Sequence, residues 1–357
     1  MNGFGIARRV ALVSLAVGAA AWVVVAGPLN PPAGAVSSTY KTLSEVEPRI
    51  AINATNTPGD ATAAFVISQP GSYYLTGNIN VSTALNGIKI AAKDVTIDLN
   101  GFELMGSTSA LGAIVDLGSL SGISVRNGRL RGWSQGGVVL DSSRGCLIED
   151  LTVIDVGGTY GVWVQFNSVI RNCTVDAPNP AVTIDIAAIG TQCCTVIQGC
   201  HVQGGDATSA GIFVNDGCTI SDCVVNNCLS DGIVATSGYS TITNCTVAFN
   251  NGDGIRVGAR CLVSGCTAAN NSQGGIHVTN VDNRIEDNNI TASARGLDVD
   301  VAGSVFLRNT ASANTTNFDI VAGNFGVFVA GTAGGAVLGN SGGANIGGTD
   351  PNANYSY

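Results

Sequence analysis

The sequence is poor in charged side chains, and lysine is the scarcest of them. Charged residues make up 11% of the 357 positions, and lysine occurs three times, at Lys41, Lys89 and Lys93. Long amphipathic helices usually carry many Lys and Glu residues on their wet face, so this composition argues against a helical fold. Glycine, by contrast, occurs 48 times, which suits short strands joined by tight turns.

Basic charge is also lacking. The chain has 16 Lys and Arg against 25 Asp and Glu, which gives a formal net charge of −9 at pH 7. Because a nucleic-acid surface needs clustered Lys and Arg, we exclude nucleic acid as a partner. Histidine occurs twice, and this scarcity of acid–base groups favours a non-enzymatic protein.

One long apolar run lies near the N-terminus. Arg8 and Arg9 precede the apolar residues 10–27, and the small residues 33–35 follow as a signal-peptidase site. We predict that residues 1–35 are a signal peptide, that the protein is secreted, periplasmic or on the cell surface, and that no membrane segment remains after cleavage. The alternative is a retained N-terminal anchor, because the apolar run of 18 residues is long enough to span a bilayer.

A four-residue motif repeats along the chain. It reads Gly, an apolar residue, any residue, and then Val or Ala. Its copies begin at Gly161, Gly211, Gly232, Gly254, Gly275 and Gly296. From Gly211 onward the steps between copies are 21, 22, 21 and 21 residues. Upstream, longer repeats begin near Gly87, Gly112, Gly136 and Ala187.

A second motif follows each copy of the first by about nine residues, and it ends in Cys or Asn. It places one column of equivalent residues in successive repeats: Cys173, Cys200, Cys223, Cys245, Cys266, Asn288 and Asn309. We interpret the cysteines as buried packing thiols that fill an inward bend. Disulfides between adjacent repeats and a metal site are the alternatives. The total of 11 cysteines is odd, so they cannot all pair within the chain.

A repeat of about 22 residues with three short strands is typical of a β-solenoid. We therefore predict an all-β fold, a single-stranded parallel β-helix of about eleven coils, over residues 86–330. Residues 36–85 are predicted to form an N-terminal cap that hides the open edge of the first coil. Residues 331–357 are rich in Gly and Asn and are predicted to be a C-terminal tail.

The two motifs together resemble the right-handed parallel β-helix repeats of the pectin-lyase-like superfamily. Residues 28–79 are similar to the leader and cap of secreted bacterial members. The resemblance implies a right-handed helix, but the superfamily includes lyases, hydrolases, epimerases, adhesins and tailspikes. The Asn-Thr-Asp, Asp-Asp and Gly-His-Gly motifs of polygalacturonases and the Trp-Ile-Asp-His and Val-x-Arg-x-Pro-x-x-Arg motifs of pectate lyases are absent. No catalytic residue is therefore carried over.

Alternation along the first strand of each coil predicts which side chains face solvent. One outward column reads Trp163, Phe213, Val234, Arg256, His277 and Asp298. A second column, two residues later, reads Gln165, Asn215, Thr236, Gly258, Thr279 and Asp300. We predict that Trp163 and Phe213 stack on sugar rings and that Asn215 and Asp300 help to bind the same substrate.

Three residues of the first column are candidates for catalysis. Arg256, His277 and Asp298 fall on successive coils, so neighbours should lie about 5 Å apart. A carboxylate beside a histidine raises its pKa and orients it for acid–base work, and Arg256 could neutralise a substrate carboxylate. Asp298 and Asp300 could instead serve as the two carboxyls of a hydrolase. No cofactor or metal is predicted, and Ca²⁺ bound by these two carboxylates is the alternative. The alternative is a surface ladder of opposite charges.

Three further polar residues are interpreted as structural. His201 is expected to be exposed in a turn, and Asp231 and Asp253 are expected to be turn residues rather than catalytic acids. The function predicted from the sequence is a non-enzymatic β-helix that binds polysaccharide or cell-envelope glycan, or that serves as a rigid scaffold. The alternative is a divergent polysaccharide lyase or glycoside hydrolase that acts on uronate-containing polysaccharide. The sequence does not indicate an oligomeric state.

Overall fold

The computed structural model describes residues 47–177, 184–204, 210–330, 337–338 and 351–356. Nearly all of them belong to one compact unit, Arg49–Tyr357. The regular structure in these ranges consists of β-strands, and no helix there is long and apolar enough to cross a membrane. The predicted signal peptide, residues 1–35, lies outside the described residues.

One sheet contains 13 described strands, and its members are successive coils that pair in parallel. We call it the broad sheet. Its strands are Ala63–Ile67, Asn86–Ile90, Gly112–Asp116, Gly136–Arg144, Gly158–Phe166, Ile184–Cys193, Ala210–Asp216, Ile233–Gly238, Ile255–Ala259, Gly274–Val278, Arg295–Val299, Thr316–Ile320 and Val337–Leu338. The copies of the first motif lie in or directly before these strands.

A second sheet, the bent sheet, contains 23 described strands, most of them short. They are Ile50–Ala51, Gly71–Tyr74, Ile79–Asn80, Val95–Asp98, Glu103–Met105, Ser124–Arg131, Leu147–Ile154, Val169–Arg171, Thr174–Ala177, Val196–Gln198, His201–Gly204, Thr219–Ser221, Val224–Asn226, Thr241–Thr243, Thr246–Ala248, Leu262–Ser264, Thr267–Ala269, Arg284–Glu286, Asn289–Thr291, Val305–Leu307, Thr310–Ser312, Phe328–Ala330 and Asn354–Ser356.

The second sequence motif forms the bend within this sheet. Its third residue has a left-handed backbone, with φ of 53° at Asn172, 57° at Asp222 and 54° at Asn244. Asn and Asp adopt this conformation more readily than other non-glycine residues, which explains their place in the motif. The turn they make sends the next side chain, the Cys or Asn of the column, into the core.

Over the described residues the chain is an all-β right-handed parallel β-helix, as the repeats and the family resemblance together predicted. Eleven described strands of the broad sheet run from Asn86–Ile90 to Thr316–Ile320, in agreement with the predicted number of coils. The segment predicted as a cap adds strands to both sheets, because Ala63–Ile67 pairs with the broad sheet and Gly71–Tyr74 pairs with the bent sheet. At the other end Asn354–Ser356, within the predicted tail, pairs with two strands of the bent sheet.

The core is a stack of equivalent side chains from successive coils. Ile212, Ile233, Ile255 and Ile276 are neighbours in the broad sheet and are fully buried. The five cysteines of the column are each 1% exposed and are free thiols. Asn288, Asn309 and Asn354 continue the stack as an amide ladder, with bonds of 2.9 and 2.8 Å between neighbouring side chains. Cys193 and Cys194 form a disulfide, and the other nine cysteines are free and buried.

Candidate functional site

The outer face of the broad sheet carries a column of polar side chains near its C-terminal end. Arg256 pairs with His277, His277 with Asp298, and Asp298 with Asp319 on four successive coils. The sequence predicted this alignment for the first three residues, and the structure brings them together in that order. Asp319 extends the column by one coil.

His277 lies at the centre of the column, between carboxylates. Its Nδ1 is 2.7 Å from Oδ2 of Asp253, and its Nε2 is 3.0 Å from Oδ2 of Asp300 and 4.0 Å from Oδ2 of Asp298. Burial lowers the pKa of His277, but the hydrogen bond and charge of Asp253, with smaller effects of Asp300 and Asp298, outweigh it and raise the pKa to about 9. His277 is therefore protonated at neutral pH and donates from both ring nitrogens.

Asp231 and Asp253 belong to this site, although the sequence indicated a turn role for both. Each carboxylate uses one oxygen to accept a backbone N–H of the next coil, from Asp253 at 2.8 Å and from Gly274 at 2.7 Å. The other oxygen of Asp231 accepts from Arg256 at 2.7 Å, as that of Asp253 does from His277. The recurrent Asp-Gly before a strand, with a cation one coil later, is the signal that would have identified them.

Each cation of the site has a carboxylate partner. Arg256 pairs with Asp231, and Arg295 pairs with Asp298 at 2.6 Å and with Asp319 at 3.2 Å. We call this set the ionic cluster: Arg256, His277, Arg295, Asp231, Asp253, Asp298, Asp300 and Asp319. Asp298, expected on the wet side, is only 4% exposed, since Arg295 and His277 lie against its carboxylate. Burial raises the pKa of both Asp231 and Asp298.

The chemistry open to the ionic cluster follows from these pairs. The His277 imidazolium can donate a proton, but Arg256 is directed to Asp231 rather than left for a substrate carboxylate. His277, Asp298 and Asp300 each offer one ligand atom, all within 4.8 Å of one another. An imidazole with two carboxylates suits Ca²⁺ poorly, because this ion takes six to eight oxygen ligands. Calcium was only an alternative to the prediction of no cofactor, and this donor set does not favour it.

The aromatic residues predicted to stack on sugars lie on the same outer face. Trp163 was expected to be exposed, and this expectation is wrong, since it is only 4% exposed. The ring of Tyr160 stacks on it with centroids 4.0 Å apart. Both rings lie over Gly190, where a Cβ would be 2.8 Å from Tyr160 and 2.9 Å from Trp163. Phe213 is partly exposed and packs against this pair. Tyr160, Trp163 and Phe213 are called the aromatic patch below.

The structure also places three polar residues for which the sequence predicted a binding role or exposure. The amide of partly exposed Asn215 donates to Gln192 at 2.7 Å and accepts from Thr236 at 2.6 Å, so it is part of a polar ladder. The side chain of Asp300 is 56% exposed and reaches His277. His201 is exposed, as expected, but it begins the strand His201–Gly204 rather than a turn.

A pocket of about 570 Å³ opens beside the aromatic patch. We call it the outer pocket. Among the described residues that line it are Val115 and Val139, the carboxylates of Asp116 and Asp141, and Tyr160. Asp116 accepts hydrogen bonds from the backbone N–H of Asp141 at 3.2 Å and of Ser142 at 3.1 Å. Neither repeat motif indicates this pocket, although Asp116 and Asp141 each end an apolar strand segment one coil apart.

Comparisons with known proteins agree with this architecture. A family model described as "Right handed beta helix region" matches residues 191–350. This match agrees with the right-handed parallel β-helix that the solenoid itself displays. No curated protein matches the sequence.

Several solved structures are similar in fold. The tailspike of Escherichia coli bacteriophage HK620, in complex with a pentasaccharide, is 12% identical with a TM-score of 0.61, over 85% of this chain and 67% of that chain. The A-module of the Azotobacter vinelandii mannuronan C-5 epimerase AlgE4 is 15% identical with a TM-score of 0.48, over 67% of this chain and 86% of that chain. The Dettilon tailspike is 17% identical with a TM-score of 0.47, over 80% of this chain but only 60% of that chain. At these identities the likeness concerns the fold.

Proposed function

We propose that this protein is a non-enzymatic β-helix that binds polysaccharide along the outer face of the broad sheet. The observation that carries the proposal is the outer pocket of about 570 Å³ beside the aromatic patch. Its volume lies within the range of small-molecule sites. The similar fold of the HK620 tailspike, whose structure contains a pentasaccharide, supports a carbohydrate ligand.

The surroundings of the pocket suit a sugar. A sugar ring has apolar C–H faces and a rim of hydroxyls, so its site needs both apolar surface and polar groups with free hydrogen-bonding capacity. Val115, Val139 and Tyr160 supply the apolar surface. Gln135 and Thr159, which are exposed at the rim, supply an amide and a hydroxyl. Phe213 extends the apolar surface toward the next coils.

The proposed location is the cell envelope or the exterior. The basic residues Arg8 and Arg9 and the apolar run after them support export or anchoring. An envelope or extracellular polysaccharide is then the partner that such a protein would meet.

A polysaccharide lyase or glycoside hydrolase that uses the ionic cluster is the second candidate. The observation that favours it is the 2.7 Å contact between His277 and the buried Asp253, which orients the imidazole with Nε2 toward the exposed carboxylate of Asp300. The pairing of Arg256 and Arg295 with carboxylates counts against it, because a uronate would have to compete with those partners.

A glycan array combined with two product assays tests both candidates on the purified protein. We expect binding to at least one polysaccharide, with no release of unsaturated uronate and no new reducing ends. Tyr160→Ala should weaken this binding at least tenfold. Tyr239→Ala is the matched control, because Tyr239 is 61% exposed and lies outside the outer pocket. Failure to bind any glycan would refute the proposal, and a product lost in His277→Ala would establish the second candidate.

A further inference from the structure

The outer pocket is lined by negative charge without a cation to balance it. Asp116 and Asp141 are among its described lining residues, and none of these is Lys, Arg or His. Lys89 neighbours Val115 in the broad sheet, but its ammonium group is bound to Asp60 and, at 2.7 Å, to Thr62. The ionic cluster differs in this respect, since carboxylates and cations are paired there.

Asp116 is the structural member of the pair. Its carboxylate accepts from the backbone of Asp141 and Ser142, and from the hydroxyl of Ser143 at 2.6 Å. These bonds fix the chain that carries Asp141 at the edge of the pocket. Asp116 is therefore a positioning residue, and it also keeps a second negative charge at the site.

Asp141 is the member with free hydrogen-bonding capacity. No hydrogen bond or ion pair to its carboxylate is present among the described residues, and its side chain is exposed at the pocket. A carboxylate accepts hydrogen bonds only, and sugar hydroxyls can donate them. Burial and the charge of Asp116 raise the pKa of Asp141, in keeping with the missing counter-charge.

We propose that the outer pocket selects neutral, hydroxyl-rich sugars and rejects uronates, with Asp141 accepting hydrogen bonds from the ring hydroxyls. The inference rests on the proposed function and names its ligand class. A uronate would place its carboxylate beside two others in a partly desolvated pocket, where like charges repel strongly. The net charge of −9 disfavours the approach of a polyanion as well.

The experiment is calorimetric titration of the purified protein at pH 7 with hexasaccharides of matched length. The neutral probes are cellohexaose, maltohexaose and mannohexaose, and the acidic probes are hexagalacturonate and hexamannuronate. We expect at least one neutral probe to bind tenfold or more tightly than both acidic ones. Asp141→Asn should weaken the affinity for the neutral probe about tenfold. It should also reduce the ratio between the affinities for the neutral and the acidic probes.

Asp282→Asn is the matched control, because the side chain of Asp282 is 56% exposed and pairs with Arg260 away from the pocket. It should leave every affinity unchanged, and melting temperatures will show that both variants fold. Uronates that bind as tightly as the neutral probes would overturn the inference, as would Asp141→Asn behaving like the control. Either result would leave polysaccharide binding itself established, whereas absence of binding to any probe or arrayed glycan would refute both proposals.

Discussion

Asp253 lies in the turn that begins the preceding coil, and its Oδ2 is 2.7 Å from Nδ1 of His277. The same carboxylate accepts the backbone N–H of Gly274, so one side chain fixes both the start of the next strand and the imidazole on it. The stacking of two coils is thereby coupled to the protonation of one histidine.

The first prediction concerns the pH dependence of stability. The pKa of His277 rises from 6.5 to about 9 on folding. Its contribution is therefore fully present below pH 6.5 and is lost as the pH rises toward 9. We expect wild type to lose about 3 kcal/mol more than His277→Gln between pH 6 and pH 9.5, because each pKa unit corresponds to about 1.4 kcal/mol. Urea unfolding at both pH values measures this, and parallel profiles would contradict it.

A second measurement isolates the role of Asp253. In Asp253→Asn the hydrogen bond can persist but the negative charge is gone, so the pKa of His277 should fall from about 9 toward its ordinary value. Titration of the ring protons by NMR reports this pKa directly, with His277→Gln used to assign the signals. An unchanged pKa would show that Asp253 does not control the proton.

The amide ladder leads to a prediction about its middle residue. Asn309 accepts from Asn288 at 2.9 Å and donates to Asn354 at 2.8 Å, and all three are buried. Asn309→Ala removes both ladder bonds and the acceptor of the buried Asn288 backbone N–H, and it should cost about 3 kcal/mol of unfolding free energy. Asn309→Cys introduces the residue found at this position in the five coils from Cys173 to Cys266, and it should cost less. Urea unfolding ranks the two, and equal losses would argue against the ladder.

Glycine at the start of a broad-sheet strand permits close stacking of coils. A Cβ on Gly232 would lie 2.3 Å from Cγ1 of Val247 and 2.7 Å from the carbonyl oxygen of Gly254. We expect Gly232→Ala to destabilise the protein by about 2 kcal/mol, the usual cost of overpacking. Gly77→Ala is the control, because nothing lies within 4 Å of the added atom. Thermal melting that fails to separate the two variants would refute this account.

The buried thiols should be inert in the folded protein. Nine cysteines are free and buried, which keeps a reagent from reaching them in the native state. Burial also raises the pKa of Cys228 to about 12, so this thiol stays protonated at neutral pH. A thiol reagent such as DTNB should react with none of them at pH 8 and with all of them after unfolding in urea without reductant. A thiol that reacts quickly in the native state would show that the column is accessible.

The sequence predicted the order of the site residues well. In a solenoid the coil period determines which residues pair, so the steps of 21 and 22 residues were enough to align Arg256, His277 and Asp298. The same reasoning placed the cysteine column in the core. These are consequences of the repeat, which a single sequence displays.

The burial of outward side chains was beyond such reasoning. Strand alternation indicates which face of the sheet Trp163 lies on, but not whether other residues cover it. Trp163 is buried because Tyr160 stacks on its ring and because Gly190 leaves room for both rings. The Gly190 coil lacks a clear copy of the first motif, so the neighbour of Trp163 was overlooked. The contacts of Asp231 and Asp253 depend on the geometry of their turns and on backbone N–H groups of the next coil. Strand alternation, which has a period of two residues, does not describe either.

The change from Cys to Asn along one inward column has a consequence for biosynthesis. In the folded protein five thiols, from Cys173 to Cys266, form one buried column in successive coils. Before the coils close, an oxidant could join any two of them in a disulfide. Most such disulfides would hold neighbouring coils out of their native register. The Asn portion carries no such risk. A nascent chain that meets oxidising surroundings must therefore coil its thiol-rich middle faster than those thiols are oxidised.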